Sequence, residues 1–200
     1  MQGQYAPGQM LPSARELAVR YGVSQTVVRD AIRSLAGKGL VQVQQGIGTS
    51  VTKDAHAGLT ESYRWALRRC QVTRGEIVEM GDLLETQIAV LAAQRRTEDD
   101  LVEMQRILQE YERLAPTAPW EQVSTYHTQF HTAMMHATHN RAILAVLEPL
   151  IDLILASSEP QQLDGNAMSA YQQHLSIFQS IQRQDAKAAR AAIGQHFALS

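Results

Sequence analysis

The sequence predicts a mainly α protein in two parts, an N-terminal winged helix-turn-helix with a small β-hairpin wing and an all-α helical bundle. Two short capped helices and a glycine-bearing hairpin predict the first part. Apolar residues at helical spacing, without an alternating strand pattern, predict the second part. The boundaries that follow are 1–53 for the winged unit, 54–58 for a linker and 59–200 for the bundle.

The two helices of the winged unit are defined by their ends. Ser13 precedes an apolar-periodic stretch and Glu16 lies three residues later, which is the spacing of a capping box. Gly22 then supplies the residue type that commonly ends a helix. The second helix begins after Ser24, a favoured N-cap residue, and the two glycines of the GKG segment stop it.

Two short strands are predicted next, over 40–44 and 49–52, because apolar and polar residues alternate on both sides of the QGIG segment. The glycines of this segment suit a tight hairpin turn. They also leave the tip of the wing thin enough to approach the minor groove of DNA. The hairpin therefore completes a winged helix-turn-helix.

A helix-turn-helix places the N-terminal side chains of its second helix against base edges in the major groove. Serine and threonine at that terminus suit phosphate contacts, glutamine pairs with adenine, and arginine pairs with guanine or phosphate. An arginine in the first turn of the preceding helix is also placed to reach the DNA. The candidate DNA-binding residues are Arg15, Ser24, Gln25, Thr26, Arg29, Gly46 and Gly48.

Charge and composition fit a polyanion-binding unit attached to an acidic body. Residues 1–54 carry six Lys/Arg and three Asp/Glu, a charge of +3, while residues 55–200 carry twelve and seventeen, a charge of −5. No membrane span and no export signal is predicted. The single cysteine, Cys70, fits a reducing cytoplasm, and its helical surroundings predict a packing residue.

The body shows seven helical stretches separated by proline, threonine, asparagine and glycine-bearing segments. Thr97 and Asp100 form a second capping box, and Pro119 is suited to the first turn of its helix. Seven helices in about 140 residues predict a bundle. They lie near 59–71, 74–95, 97–114, 119–138, 141–157, 167–182 and 185–198.

Histidines are the most informative feature of the body. The segment YHTQFH holds two of them four residues apart, so both project from one helical face. The last two predicted helices hold one each, at similar distances from the turn between them, so antiparallel packing can bring these two together. Four converging imidazoles suit Zn²⁺ or Ni²⁺, whereas the alternative is a set of unconnected polar residues. The candidate metal ligands are His127, His131, His174 and His196.

The segment PGQMLPSARELAVRYGVSQTVVRDAIRSLAGKGLVQVQQGIGTSV resembles the DNA-binding domain of the GntR superfamily, whose pattern is approximately pGxxLPSERELAxxxGVSRxxVREALxxLxxxGLVxxxxGxGxxV. The chain departs from this pattern at Ala14, Gln25 and Ile47, where the family commonly has glutamate, arginine and a basic residue. Since the arginine position commonly reads the operator, the resemblance implies a different half-site. The family's preceding helix is not found, so we expect a truncated or missing first helix and weak stability of isolated residues 1–54.

The body resembles the FadR-type, or FCD, ligand-binding domain. EMGDLLETQIAVLAAQRRT, HTQFHTAMMHATHN and HLSIFQSIQRQDAKAARAAIGQH are similar to three of its segments. In that domain one aspartate and three histidines bind a divalent metal beneath a pocket for a small organic acid. By position His131, His174 and His196 match the histidines, and His127 stands in place of the aspartate. The resemblance thus implies a metal, with a shift in preference toward Zn²⁺ or Ni²⁺ over Mn²⁺.

These resemblances imply a homodimeric transcriptional regulator, expected to be a repressor, whose binding to double-stranded operator DNA responds to a small carboxylate metabolite. The family's arginine that helps hold an effector carboxylate is Gly81 here, which weakens the inference of an acidic effector. One alternative is a regulator that senses the metal ion itself. A metalloenzyme is the other, and it is disfavoured because no glutamate accompanies the histidine pair as in an HExxH motif.

Overall fold

The computed structural model of the chain describes residues 5–53, 56–157 and 167–198. Contacts divide it into two units, one up to Ala66 and one from Leu67 onward. The predicted break near Pro160 and residues 54 and 55 of the predicted linker lie outside the described residues. The elements are α1 (Ala14–Tyr21), α2 (Gln25–Gly37), β1 (Val41–Gln44), β2 (Gly48–Val51), α3 (Ala57–Arg69), α4 (Arg74–Arg95), α5 (Glu98–Leu114), α6 (Trp120–His136), α7 (Arg141–Ser157), α8 (Ala167–Gln182) and α9 (Ala186–Ala198).

Local signals set the ends of α1 and α2 as the sequence predicts. The Ser13 hydroxyl accepts a hydrogen bond from the Glu16 amide, and the Glu16 carboxylate accepts one from the Ser13 amide in return. Gly22 ends α1 in the left-handed conformation, with φ of 66°. The Ser24 hydroxyl accepts a hydrogen bond from the Val27 amide and caps α2. The predicted helix-turn-helix is therefore confirmed.

The wing contains one more paired segment than the sequence analysis predicts. β1 and β2 are antiparallel, and Val41 lies opposite Val51. The stretch before α1 pairs with the outer edge of β2: Met10 lies opposite Ser50, and the Leu11 amide donates to the Thr49 carbonyl at 2.7 Å. This segment lacks strand periodicity because its pairing is only a few residues long, so the sequence gives little signal for it.

The unit that ends at Ala66 has a small core. Leu17, Ala18 and Val28 form its buried cluster, with Ala14 and Ile32 packed beside them. An open apolar groove of about 640 Å³ lies between α1, α2 and the hairpin. Large apolar side chains also remain exposed on this unit, namely Val19, Tyr21, Val23, Val27 and Leu40.

Helix α3 begins against the end of α2. A Cβ on Gly58 would lie 2.4 Å from the Lys38 carbonyl oxygen, so the backbones touch there and only glycine fits. Trp65, further along α3, is 67% exposed. Cys70 follows the helix and is exposed, which corrects the expectation of a packed cysteine. The physical reason is that α3 ends at Arg69, so Cys70 lies in a turn outside the helix.

The second unit is a helical bundle centred on α4, which contacts α6, α7, α8 and α9. Capping boxes begin two of its helices, Thr73 with Glu76 and Thr97 with Asp100. Pro119 is the N-cap residue of α6, one position before its predicted place in the first turn. Together with the winged unit, this bundle confirms the predicted mainly α fold.

One continuous apolar core fills the bundle. Its largest fully buried members come from α4 to α9, so every helix of the unit contributes one face. No described helix is both long and apolar enough to span a membrane. These fully buried side chains are Tyr111, Phe130, Ile88, Met104, Ile107, Met134, Met135, Ile151, Ile154, Ile177, Ile181 and Ile193.

Candidate metal centre and nucleic-acid interface

Three helices bring four histidines to one point inside the bundle. His127 and His131 lie one turn apart on α6, while His174 comes from α8 and His196 from α9. All four are buried, and one ligand nitrogen from each lies within 4.8 Å of those of the others. The structure therefore brings together all four histidines that the sequence singles out, although they span 70 positions of the chain.

The imidazole rings pack directly against one another. Their centroids are separated by 4.7 Å for His127 and His131 and by 4.9 Å for His174 and His196. The Nε2 atoms of His131 and His174 are 3.0 Å apart. Two ring nitrogens at this distance fit either a shared proton or a shared cation between them.

Two of the histidines are held by polar side chains behind their rings. His131 Nδ1 contacts Glu85 Oε2, and His196 Nδ1 lies 2.7 Å from Gln173 Oε1. Because a carboxylate or amide oxygen accepts, these contacts favour the tautomers that carry the proton on Nδ1. In these tautomers Nε2 carries the lone pair on both rings, as a metal ligand requires.

Burial keeps three of these imidazoles neutral. Desolvation lowers the pKa of His127 and of His174 well below the ordinary histidine value, and it lowers the pKa of His196 to about 3. The neighbouring histidines lower these pKa values further, because each would repel a second positive charge. Neutral imidazoles retain the lone pairs that bind metal ions.

The donor set fits a divalent cation that prefers nitrogen. In a tetrahedral site with ligands about 2.1 Å from the ion, neighbouring ligand atoms would lie about 3.4 Å apart. The Nε2 atoms of His131 and His174 are 3.0 Å apart, and one nitrogen from each of the four histidines lies within 4.8 Å of the others, so the four are close enough to face one ion. Within the described chain His127 Nδ1 is buried without a hydrogen-bond partner, as expected for a site that holds another group.

Aromatic and aliphatic side chains enclose the cluster. The Phe130 ring centroid is 4.9 Å from that of His174, and the Trp120 centroid is 6.0 Å from that of His127. Tyr111 lies 5.5 Å from His174 by the same measure, and burial raises the pKa of its hydroxyl. This shell excludes water and strengthens electrostatic interactions inside it.

Gly81 is explained by its neighbours. A Cβ at this position would lie 2.8 Å from Ile154 Cγ2 and 3.1 Å from Phe197 Cε1. Any larger side chain at this position, including the arginine that the FCD domain commonly has, requires these two residues to move. The space that an arginine would need is therefore filled by apolar groups in this chain.

His136 and His139 lie outside the cluster, in agreement with a sequence-based interpretation of both as polar residues at a helix end. His139 Nε2 is 2.7 Å from Asp100 Oδ2 at the surface, which joins the end of α6 to the start of α5. His136 Nε2 is 4.0 Å from Glu148 Oε1 and is half exposed. Both act as local polar contacts near the end of α6. Glu85, by contrast, is a site residue that the sequence analysis missed, because it lies 46 positions before His131.

The predicted DNA-binding side chains lie on the exposed surface of the winged unit. Gln25, Thr26 and Arg29 are exposed in the first turns of α2, and Arg15 is exposed in the first turn of α1. Ser24 is also exposed, but its hydroxyl is occupied as the cap of α2. A phosphate contact by this residue therefore uses the hydroxyl as donor while it still accepts from the Val27 amide.

A groove between α2 and the wing adds Arg33 to the candidate DNA-binding residues, and the sequence analysis did not name this arginine. Arg29 and Arg33 line it together with Ile47 and Gly48 at the wing. Gly46 and Gly48 have φ of 77° and 132°, which confirms a turn that requires glycine. Arg33 follows Arg29 by four residues, so helical spacing alone was the signal that places both on one face.

Comparison with protein families finds two matches that together cover most of the chain. Residues 1–51 match the bacterial regulatory proteins of the gntR family, and residues 76–199 match the FCD domain. The chain is 34% identical over 208 residues to the Uxu operon transcriptional regulator of Escherichia coli (strain K12), covering 96% of this chain and 77% of that protein.

Two further relatives and one solved structure agree. The galactonate operon transcriptional repressor of Escherichia coli (strain K12) is 27% identical, covering 95% of this chain and 85% of that protein. The HTH-type transcriptional regulator LutR of Bacillus subtilis (strain 168) is 26% identical, covering 97% and 90%. A Streptococcus agalactiae GntR structure has a TM-score of 0.79 at 24% identity, covering 98% of this chain and 90% of that chain, which shows a shared fold.

Proposed function

We propose that this chain, which belongs to the gntR family of bacterial regulatory proteins and carries an FCD domain, is a repressor controlled by a small organic-acid metabolite that binds beside a histidine-held metal. Like its relatives, it is a DNA-binding transcriptional regulator and not an enzyme. The observation that carries the metal-centred part is the convergence of four buried ligand nitrogens within 4.8 Å.

Operator binding is assigned to the exposed start of α2 and to the wing. Gln25 is placed to pair with an adenine, and Arg29 with a guanine or a phosphate. Arg15, Ser24 and Thr26 contact the DNA backbone, and Gly46 and Gly48 let the wing approach the minor groove. One recognition helix reads only a few base pairs, so we propose a homodimer that binds two half-sites of double-stranded operator DNA.

The metal is proposed to be Zn²⁺ or Ni²⁺, held by His127, His131, His174 and His196. Four imidazoles form a nitrogen-only donor set, which favours these ions over the oxygen-preferring Mn²⁺. A bound ion supplies an electrophilic anchor for an anionic oxygen. Burial keeps the imidazoles of His127 and His174 neutral and excludes competing water.

The effector is proposed to be a small carboxylate, and galactonate is the compound to test first because one relative is named as a galactonate operon repressor. Apolar side chains next to Gly81 fill the space that an arginine would need in order to hold a carboxylate. We therefore expect the effector to depend on the metal centre rather than on a buried arginine. The coupling between effector and DNA sites is typically about 1–3 kcal/mol in such systems.

Metal content is the first test. The untagged protein is purified without added metal and analysed by mass spectrometry, together with His131→Ala. The matched control is His139→Ala, which removes an imidazole that contacts Asp100 outside the cluster. We expect about one zinc or nickel per subunit in wild type and control and none in His131→Ala. Absence of metal from all three, even after reconstitution, rejects the metal centre and leaves the family assignment intact.

The regulatory part is tested with duplexes that wild-type protein selects from a random DNA pool. DNA affinity is measured with and without galactonate, with metal present and after chelation. Release of DNA by galactonate only in the metal-loaded protein supports the proposal. A change on metal removal alone, without response to any carboxylate in a panel, favours the alternative in which the ion itself is the signal.

A further inference from the structure

We propose that Glu85 is a positioning residue for the metal centre. Its carboxyl group holds His131 in the tautomer that binds the ion. This inference rests on the proposed metal site and extends it to a residue on a fourth helix, α4. Glu85 is expected to raise the affinity of the site for the metal ion.

Glu85 reaches the cluster from behind. Its side chain is fully buried, and Oε2 contacts Nδ1 of His131, on the side of the ring that faces away from the other histidines. Nε2 of the same ring lies 3.0 Å from His174 Nε2. The carboxylate therefore acts through the imidazole and does not itself approach the ligand atoms.

The contact determines which nitrogen of His131 carries the proton. A carboxylate oxygen accepts, so the proton resides on Nδ1 and the lone pair on Nε2 points into the cluster. Without an acceptor behind the ring, His131 can protonate Nε2 and donate to His174, which closes the site as a hydrogen-bonded pair. Glu85 thus selects the metal-binding arrangement over the alternative of a merely polar core.

No other described residue replaces this role. Among the described residues Glu85 is the one acidic side chain in the buried set. His196 has a neutral acceptor, Gln173, behind its ring, at 2.7 Å. The FCD domain has an aspartate at the position of His127, so the carboxyl group next to this cluster is that of Glu85. Its second oxygen, Oε1, meets no donor in the described chain, which leaves the carboxylate committed to His131.

Two substitutions separate the hydrogen bond from the shape of the side chain. Glu85→Gln keeps an acceptor oxygen and nearly the same volume, whereas Glu85→Leu removes the acceptor. Loss of such a partner typically weakens metal binding about 10–100-fold. We expect the dissociation constant for Zn²⁺, measured by chelator competition, to rise about 10-fold in Glu85→Gln and about 100-fold in Glu85→Leu.

The control is Ser180→Ala, which removes another buried polar group from the bundle, one that donates to the Ser176 carbonyl. Its zinc affinity should equal that of wild type. Equal affinity in Glu85→Leu and wild type overturns the inference. If Glu85→Leu does not fold, Glu85→Gln is tested together with ¹⁵N NMR of His131 in zinc-loaded wild type. A protonated Nε2 in that spectrum also overturns the inference.

Different results reject the proposed metal site and the role of Glu85. Wild-type protein that binds no metal rejects the proposed function. Wild-type protein that binds one zinc per subunit, with unchanged affinity in both Glu85 variants, rejects only the role of Glu85.

Discussion

The winged unit and the bundle are stabilised in different ways. The winged unit buries a cluster of only three apolar residues, and caps and glycine turns define its shape. The bundle buries a continuous core from six helices and places four histidines and a glutamate inside it. Local chemistry therefore specifies the part that contacts DNA, and long-range packing specifies the part that holds the candidate metal centre. Small units with little buried surface are marginally stable, so we expect equal perturbations to affect the two parts unequally.

Acid is expected to produce the largest difference between the two units. The pKa values of His127, His174 and His196 are lowered in the fold, so these imidazoles are neutral in both states well above pH 6.5 and add no pH dependence there. Below pH 6.5 the unfolded chain takes up protons that the folded chain does not, and the stability of the bundle falls as the pH falls. The loss is about 2 kcal/mol per histidine at pH 5, or about 6 kcal/mol together.

The measurement is calorimetry of the metal-free chain between pH 8 and pH 5. The transition of the bundle should move to lower temperature while that of the winged unit changes little. A bundle transition that does not depend on pH in this range contradicts the neutral buried cluster.

Removal of a core ring should break the bundle alone. Phe130 is fully buried and packs against His131 and His174. Phe130→Ala leaves a cavity and should cost about 3–5 kcal/mol. The control is Val102→Ala on α5, where the side chain is 67% exposed and a small change is expected. Chemical denaturation followed by circular dichroism gives both values, and similar midpoints for the two variants reject the packing described here.

An exposed arginine should affect function without affecting stability. Arg29→Ala is expected to weaken DNA binding by about 1–3 kcal/mol, which is about 5–150-fold, with an unchanged melting temperature. The control is Arg106→Ala, since this arginine pairs with Glu103 on the bundle surface. Binding is measured at several salt concentrations. A uniform loss with a smaller salt slope indicates a phosphate contact, a loss confined to certain sequences indicates a base contact, and no loss removes Arg29 from the interface.

Equivalent caps provide the smallest and most direct comparison. Ser13 and Thr97 form the same capping box, one in each unit. Replacement of either by alanine should cost about 1 kcal/mol. Because the melting entropy scales with size, this cost lowers the transition by about 4–8 °C in the small unit and by roughly half as much in the bundle. Equal shifts in a calorimetric scan would show that the two units unfold as one.

Much of the fold follows from residue types at helix ends. Ser13, Gly22, Ser24 and Thr97 act where the sequence analysis places them, because caps and left-handed turns are local interactions. Cys70 was predicted incorrectly, since helix ends without a cap signal shift by a residue or two. The added pairing of Met10 with Ser50 was missed for a different reason: it joins positions 40 residues apart, and no local pattern encodes it.

The candidate site shows the same limit. The spacing of His127 and His131 predicts a shared face. Antiparallel packing of the last two helices adds the two other histidines, and the family resemblance supports all four. Glu85 was not predicted, although it lies in a motif that the sequence analysis quotes, because α4 approaches α6 only through tertiary packing. Its signal was a charged residue within an apolar helical stretch, and such residues are rarely buried without a partner.

The two tryptophans make the native chain a two-channel optical probe. Trp65 lies on α3 and is exposed, whereas Trp120 is half buried with its ring centroid 6.0 Å from that of His127. We expect the emission of Trp65 to be red-shifted and open to soluble quenchers, and the emission of Trp120 to be less exposed to them. A Trp65→Phe variant emits from the bundle alone, so quenching by added Ni²⁺ gives the occupancy of the histidine cluster without any label.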